Sequence, residues 1–291
     1  MRDRRHAFSL PGEAPGNTFS TKERTMKQIY LLIKTILSNR RLVMNLAKND
    51  FRARYSASFL GAVWAFVQPL ITILVFWFVF QMGFKSAPVD NIPYILWFIP
   101  AYVPWIYFSD ILTSCAGCMQ EYGYLVKKVR FHIEILPAVK ILSAGFVHIF
   151  FVMFIFVMYA VYRIPFSVFY LQAVYYTFAL TVFGFSLGML VSAIAVLFKD
   201  FVPLVGVVLQ IGFWAIPIFW NPETMEPWVL SVLKLNPTYY IVSGYRDCFI
   251  AHVPFWERPM LSLYFWIFTL VLFLVGCIVF SRLRPHFADE L

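Results

Sequence analysis

Charge is scarce in this chain. Of its 291 residues only 13% are Asp, Glu, Lys or Arg, while 61% are hydrophobic. An ordinary soluble domain carries about twice that share of charge. So little polar surface cannot cover a water-soluble globule, and the same apolar excess excludes a disordered chain. Cysteine is sparse too, with four residues in all, which excludes a disulfide-stapled secreted scaffold. No GxxxxGK[ST] segment occurs, so the sequence offers no P-loop for ATP. The five histidines (His6, His132, His148, His252, His286) are scattered without HExxH or i,i+4 spacing, and a metal centre is not expected.

What is abundant is uncharged apolar sequence. Crossing about 30 Å of hydrocarbon takes roughly 20 residues of helix. Runs of that kind lie at 59–83, 94–120, 141–162, 164–198, 201–222 and 259–281, the fourth giving a span from about 170. None alternates polar with apolar, so helices are favoured over barrel strands. The expected fold is therefore an all-α integral membrane protein with six transmembrane helices. Asp110 is the one carboxylate inside these runs. An acid at a span centre costs about 2.5–3.5 kcal/mol, close to what the surrounding aliphatics return, so Asp110 is expected to face protein or water.

Basic residues set the orientation. Of 24 Lys and Arg, 19 fall on the side that holds both termini and five on the other. That bias places both termini in the cytoplasm, and the net charge of +9 reflects topology and anionic lipid, not nucleic acid. Residues 1–25 are polar, carry Pro11, Gly12, Pro15 and Gly16, and read as a disordered leader, with Met26 a candidate start.

Residues 26–58 carry helical periodicity. Ile29, Leu32, Ile33, Ile36 and Leu37 form one apolar face. Further on, Arg41, Lys48 and Arg52 lie opposite Leu42, Val43, Leu46 and Ala47, as in a helix lying in the membrane interface. Asp50 falls in the apolar sector of that helix; it either pairs with a cation or the helix has ended.

The loop EYGYLVKKVRFHIEILP (121–137) mixes charge with aromatics and suits docking of a soluble partner. The opposite loop, 221–258, contains Asn221-Pro222 and Asn236-Pro237 followed by apolar pieces too short to span, which predicts amphipathic or re-entrant half-helices before the last span. Cys115-Ala-Gly-Cys118 is formally CxxC, but it sits inside a span without a second pair, where small residues serve close packing. Gly184, Gly188 and Ser192 form a small-xxx-small stripe with the same reading. His148 reads as a hydrogen-bonded packing residue. With only Asp110 and His148 ionisable inside the runs, an ion-coupled transporter or channel is disfavoured. A membrane-embedded glycosyl- or phosphotransferase would need a clustered acid or His site that the loops do not show.

The order of these features carries a resemblance. RARYSASFLGAVWAFVQPL leads into the first span, and NPTYYIVSGYR precedes the last. Over about residues 27–291 the chain resembles the ABC-2 type permeases that export bacterial cell-surface polysaccharides. LVFWFVFQMGFKSAPVDNIPYILWFIP at 74–100 and the terminal FADEL look like wall teichoic acid translocation permeases, and O-antigen and capsular polysaccharide permeases share the same frame.

The resemblance implies a homodimer in the bacterial cytoplasmic membrane, bound to two copies of a P-loop ATPase that holds ATP and Mg, with no cofactor on this chain. It implies a cargo linked through diphosphate to undecaprenol, and spans one and five as the gate. It suggests Asp50, Arg52, Arg54, Glu121, Tyr124, Lys127, Lys128 and Arg130 as contacts that couple the ATPase to the spans. An anionic, hydroxyl-rich cargo needs a wettable, aromatic path, for which Trp64, Phe66, Trp77, Tyr102, Trp105 and Tyr107 are candidates; each is otherwise a lipid-facing or interfacial residue. Asp110 would repel phosphate and is expected to have a structural partner or to hydrate the path. Arg246 matches a family-typical position, with snorkelling or a pair with Asp247 as its plain alternatives.

Overall fold

The computed structural model describes residues 21–56, 59–85, 92–127 and 131–290, without the side chains of 21–29, 223, 288 and 289. Every regular element among them is helical. Two helices come first, α1 (Thr21–Ser38) and α2 (Arg40–Tyr55). Helix α1 thus begins ahead of Met26, inside the stretch read as leader. Helix α2 buries Val43, Ala47 and Asp50 and leaves Arg41, Lys48 and Arg52 exposed. Its apolar face meets Ile135, Ala138 and Val139 at the start of α6 (Leu136–Val161).

Among the described residues, five helical stretches are long and apolar enough to cross a membrane: Gly61–Gly83, Tyr94–Glu121, Ile133–Val161, Val168–Leu197 and Pro259–His286. The first contains α3 (Trp64–Phe76), which runs on into a π-wound segment, Trp77–Gly83. The others contain α4 (Tyr94–Glu121), α6, α7 (Gln172–Leu197) and α11 (Pro259–Leu283). Between α4 and α6 lies the single turn α5 (Gly123–Val126), and α12 (Phe287–Glu290) ends the described chain.

The fifth expected span is shorter than its apolar run. Helix α8 (Phe201–Ala215) stops seven residues before Pro222. Fifteen residues rise about 22 Å, less than the hydrocarbon thickness. Pro217 supplies the physical reason: it forces Ile216 out of the helical region, and Ile216 is extended at φ −84°, ψ 141°. Hydropathy alone had carried the reading through this break. The six expected spans are therefore five of full length and one 15-residue apolar helix.

Helix α4 is the centre of the molecule. In its most apolar window 83% of residues are buried, against 11% for the first span. It packs on α6, α7, α8 and on α10 (Pro237–Arg246). The contact with α7 is close because α7 presents glycine. A Cβ on Gly184 would stand 2.8 Å from Ile111, and one on Gly188 would stand 2.8 Å from Sγ of Cys115. Cys115 and Cys118 are thus buried packing residues of α4 and are not joined by a disulfide. His148 is likewise enclosed, stacked on Tyr107 at 4.3 Å and within 3.1 Å of the Tyr245 hydroxyl and 3.2 Å of the Thr177 hydroxyl.

The two Asn-Pro pairs precede α9 (Pro227–Leu233) and α10. Asn236 caps α10, its Oδ1 accepting from the Thr238 backbone N–H (3.0 Å) and hydroxyl (2.7 Å), with Pro237 fixing the first turn. Helix α10 is buried almost throughout, too short to span and enclosed by α4, α7 and α11.

Adding side chain at the α4–α7 seam should be costly. Gly188→Val is expected to destabilise the purified protein by about 1–3 kcal/mol, read as a lowered thermal midpoint in detergent. Gly206→Ala, where a Cβ meets open space, should be neutral or stabilising by up to about 1 kcal/mol. Equal midpoints for Gly188→Val and the parent protein would contradict the packing.

Candidate functional site

The buried face of α2 carries a carboxylate, and the structure supplies its cations. Asp50 Oδ1 accepts from Lys140 Nζ at 2.6 Å and from the Tyr122 hydroxyl at 3.0 Å. Its Oδ2 accepts from Arg54 Nη2 at 3.2 Å. Lys140, in the second turn of α6, also binds Glu121 at the end of α4. Arg54 reaches the other way, donating from Nη1 to Asp110 Oδ1 at 2.7 Å, and the Ser114 hydroxyl donates to the same oxygen at 3.0 Å. The result is one chain of contacts, Glu121–Lys140–Asp50–Arg54–Asp110–Ser114, that ties α2 to both α4 and α6.

The side chains of Asp50 and Lys140 are 4% and 2% exposed. A pair so deeply placed is weakly screened, and each ion depends on the other for its solvation. Burial pushes the Asp50 carboxyl up, but the hydrogen bond and charge of Lys140, with help from Ser143 and Arg54, bring it below its ordinary value. Burial works against the Arg54 charge, and Asp110 and Asp50 together hold its guanidinium above its ordinary range. Both groups are therefore charged at neutral pH.

Two cavities meet at this chain. One, of about 530 Å³, is walled by Asp50, Arg54, Asp110, Glu121, Tyr122 and Lys140. The other, of about 600 Å³, runs from Asp110 along α3 and α4 between Trp64, Gln68, Thr72, Tyr102, Trp105 and Phe213. They share Asp110 and Thr113. The first is ionic and the second is aromatic with scattered hydroxyl and amide groups, a surface on which sugars stack and hydrogen-bond.

The expected site residues divide accordingly. Asp50, Arg54 and Glu121 join the ionic chain, and Trp64, Tyr102, Trp105 and Asp110 line the adjoining cavity. Arg52, Tyr124 and Lys127 are exposed nearby in sequence but stand outside the chain. Lys128 and Arg130 lie outside the described residues. Phe66 does not line the cavity; it packs on Phe150 with ring centres 4.4 Å apart. Arg246 belongs to the opposite end of α4, where it lies over Trp97. It is not paired with Asp247, which Arg258 binds at 2.7 Å. Successive helical residues point about 100° apart, so adjacency in sequence did not make this pair.

Sequence reasoning missed Lys140 and Tyr122. The uncharged run at 141–162 begins just after Lys140, whereas the helix begins at Leu136 and takes Lys140 in. A single cation inside Leu-Pro-Ala-Val-Lys-Ile-Leu, with no acid one turn away, was the available signal.

The profile of the ABC-2 type transporter family matches residues 41–250. Among curated proteins, the O-antigen export system permease protein RfbA of Myxococcus xanthus is 25% identical over 269 residues, covering 89% of this chain and 99% of that protein. The O-antigen export system permease protein RfbA of Klebsiella pneumoniae is 22% identical over 251 residues, covering 86% and 95%.

Removing one member of the buried pair should expose its dependence. Lys140→Met is expected to destabilise the protein by about 3–5 kcal/mol. Asp50→Asn combined with Lys140→Met should cost less than the two single changes added together, by about 0.5–3 kcal/mol of coupling. Unfolding of the purified variants measures this, and strict additivity would show that the two charges do not interact.

Proposed function

The chain belongs to the ABC-2 type transporter family, and from that premise we propose that it is the membrane-spanning permease of an ATP-driven exporter of bacterial surface polysaccharide. O-antigen or a related glycan is the favoured cargo. The named relatives are O-antigen export permeases, so wall teichoic acid, the first choice from sequence, gives way to this alternative. The observation that carries the reading is the pair of cavities meeting at Asp110. One end is an ion-paired junction that involves the interfacial helix. The other offers aromatic faces and hydroxyls along the first two spans, which suit a sugar chain and not a small ion.

The energy source is a second protein. The sequence has no P-loop, and the basic loop at 121–137 lies next to the junction through Glu121 and Tyr122. In this reading an ATPase pushes on that loop and on α2. The ion chain passes the displacement to α4 and α6, and the cavity at Asp110 widens.

Two copies of the chain form the permease. The first span is little buried, and both it and α8 present apolar side chains outward, among them Leu74, Phe78, Val207 and Ile211. Both termini face the cytoplasm, and the lipid tail of the cargo stays in the bilayer while its glycan takes the polar path.

Co-expression with a P-loop ATPase encoded beside it tests the assignment. Lys127→Glu with Lys128→Glu should abolish co-purification of the two proteins; unchanged complex yield would remove the loop from the docking surface. In proteoliposomes, movement of a lipid-linked polysaccharide should require both proteins and ATP. Translocation by this chain alone would overturn the reading.

A further inference from the structure

The end of α4 away from the ionic chain carries a second concentration of charge. From Trp97 to Glu121 the helix rises about 36 Å, so the two lie at opposite faces of a bilayer. Around Trp97 a cavity of about 250 Å³ is bordered by Lys234, Tyr239, Ser243, Arg246, Asp247 and Arg258. Three are cations, and among the described lining residues Asp247 is the sole carboxylate. Arg258 already binds it.

No carboxylate among the described side chains pairs with Arg246. Its guanidinium lies 3.5 Å from the centre of the Trp97 ring. Nη1 and Nη2 donate to the carbonyls of Pro217 (2.6 Å) and Ile218 (2.8 Å), the residues freed where α8 breaks. Carbonyl dipoles and a π face orient a cation but do not cancel its charge. Lys234, at the end of α9, adds a second positive charge that no ion pair among the described residues offsets. The described lining residues therefore carry a formal surplus of two positive charges, with the Tyr239 and Ser243 hydroxyls at the wall.

We infer that this cavity is a binding site for a phosphate group on the face opposite the ionic chain. A phosphate ester or diphosphate presents several anionic oxygens to donors arriving from different directions, where a carboxylate presents two. Its source is the headgroup of an anionic phospholipid or a phosphate borne by a water-exposed molecule. The site stands on the cavity and its charges, independently of the polysaccharide reading, and its test needs neither ATPase nor transport.

The full chain in nanodiscs separates the two sources. In phosphatidylcholine discs, inorganic pyrophosphate is titrated and the thermal midpoint recorded. In discs containing phosphatidylglycerol, lipid retained by the protein is counted by native mass spectrometry. Lys234→Gln, an exposed change remote from the packing, should weaken the responding probe about five- to tenfold. Arg258→Gln should weaken it further, because it also frees the Asp247 carboxylate. Loss of phosphatidylglycerol retention identifies a lipid site, and loss of the pyrophosphate response identifies a site for a free phosphate group. Binding of neither probe, or binding unchanged by both substitutions, overturns the inference.

Discussion

A carboxylate cannot stand alone in a hydrocarbon layer, and the arrangement of this protein follows from how its two inner acids are neutralised. Asp110 lies on the central helix α4 and Asp50 on the buried face of α2. Arg54 joins them, at 2.7 Å and 3.2 Å, and Lys140 completes the charge balance of Asp50. The Arg54–Asp110 and Lys140–Asp50 contacts cross between elements, and Arg54–Asp50 links them within α2. The requirement to solvate two charges thereby pins α2 onto α4 and α6, and a helix that periodicity describes as floating at an interface becomes mechanically part of the spans.

The rest of the architecture places this junction at one end of a long central element. Helix α4 is gripped by α6, α7, α8 and α10, with glycines on α7 allowing close approach and aromatic rings filling the middle. Phe76 stacks on Phe98, Phe80 on Tyr94, and Phe98 on Tyr102, with ring centres 4.9–5.1 Å apart. At the far end, the break in α8 at Pro217 meets the last residue of α10, where Arg246 donates to the Pro217 and Ile218 carbonyls. The molecule thus has a polar apparatus at each end of α4 and an aromatic wall between them. Asp50 and Asp110, at the ionic end, are held by cations and are not strung out as a relay for a permeant ion.

Much of this was legible in the sequence because it depends on local or compositional physics. Charge scarcity identified a membrane protein, and helical phase placed Asp50 among apolar residues where it needed a cation. Asn-Pro spacing marked the starts of short helices. What stayed hidden depends on contacts distant along the chain. Nothing local says that the partner of Asp50 is Lys140, 90 residues on, or that Arg54 reaches Asp110, 56 residues on. The length of α8 was misjudged because hydropathy continues through Pro217 while helicity does not. Of the alternatives for Arg246, a pair with Asp247 does not form: Asp247 binds Arg258, and Arg246 turns to the Pro217 and Ile218 carbonyls. The choice among glycan cargoes rests on relatives, because an aromatic and hydroxyl wall does not distinguish one sugar chain from another.

In the proposed function the Arg54–Asp110 contact transmits work from a partner ATPase to the cavity. The most direct measurement is a double-mutant cycle on ATP-driven polysaccharide translocation in proteoliposomes, using Arg54→Gln, Asp110→Asn and the pair combined. The account predicts that each single change lowers translocation at least about tenfold while the partner still hydrolyses ATP, and that the combined change lowers it no further than the worse single one. Single changes without effect, or losses that multiply independently in the double variant, would contradict it.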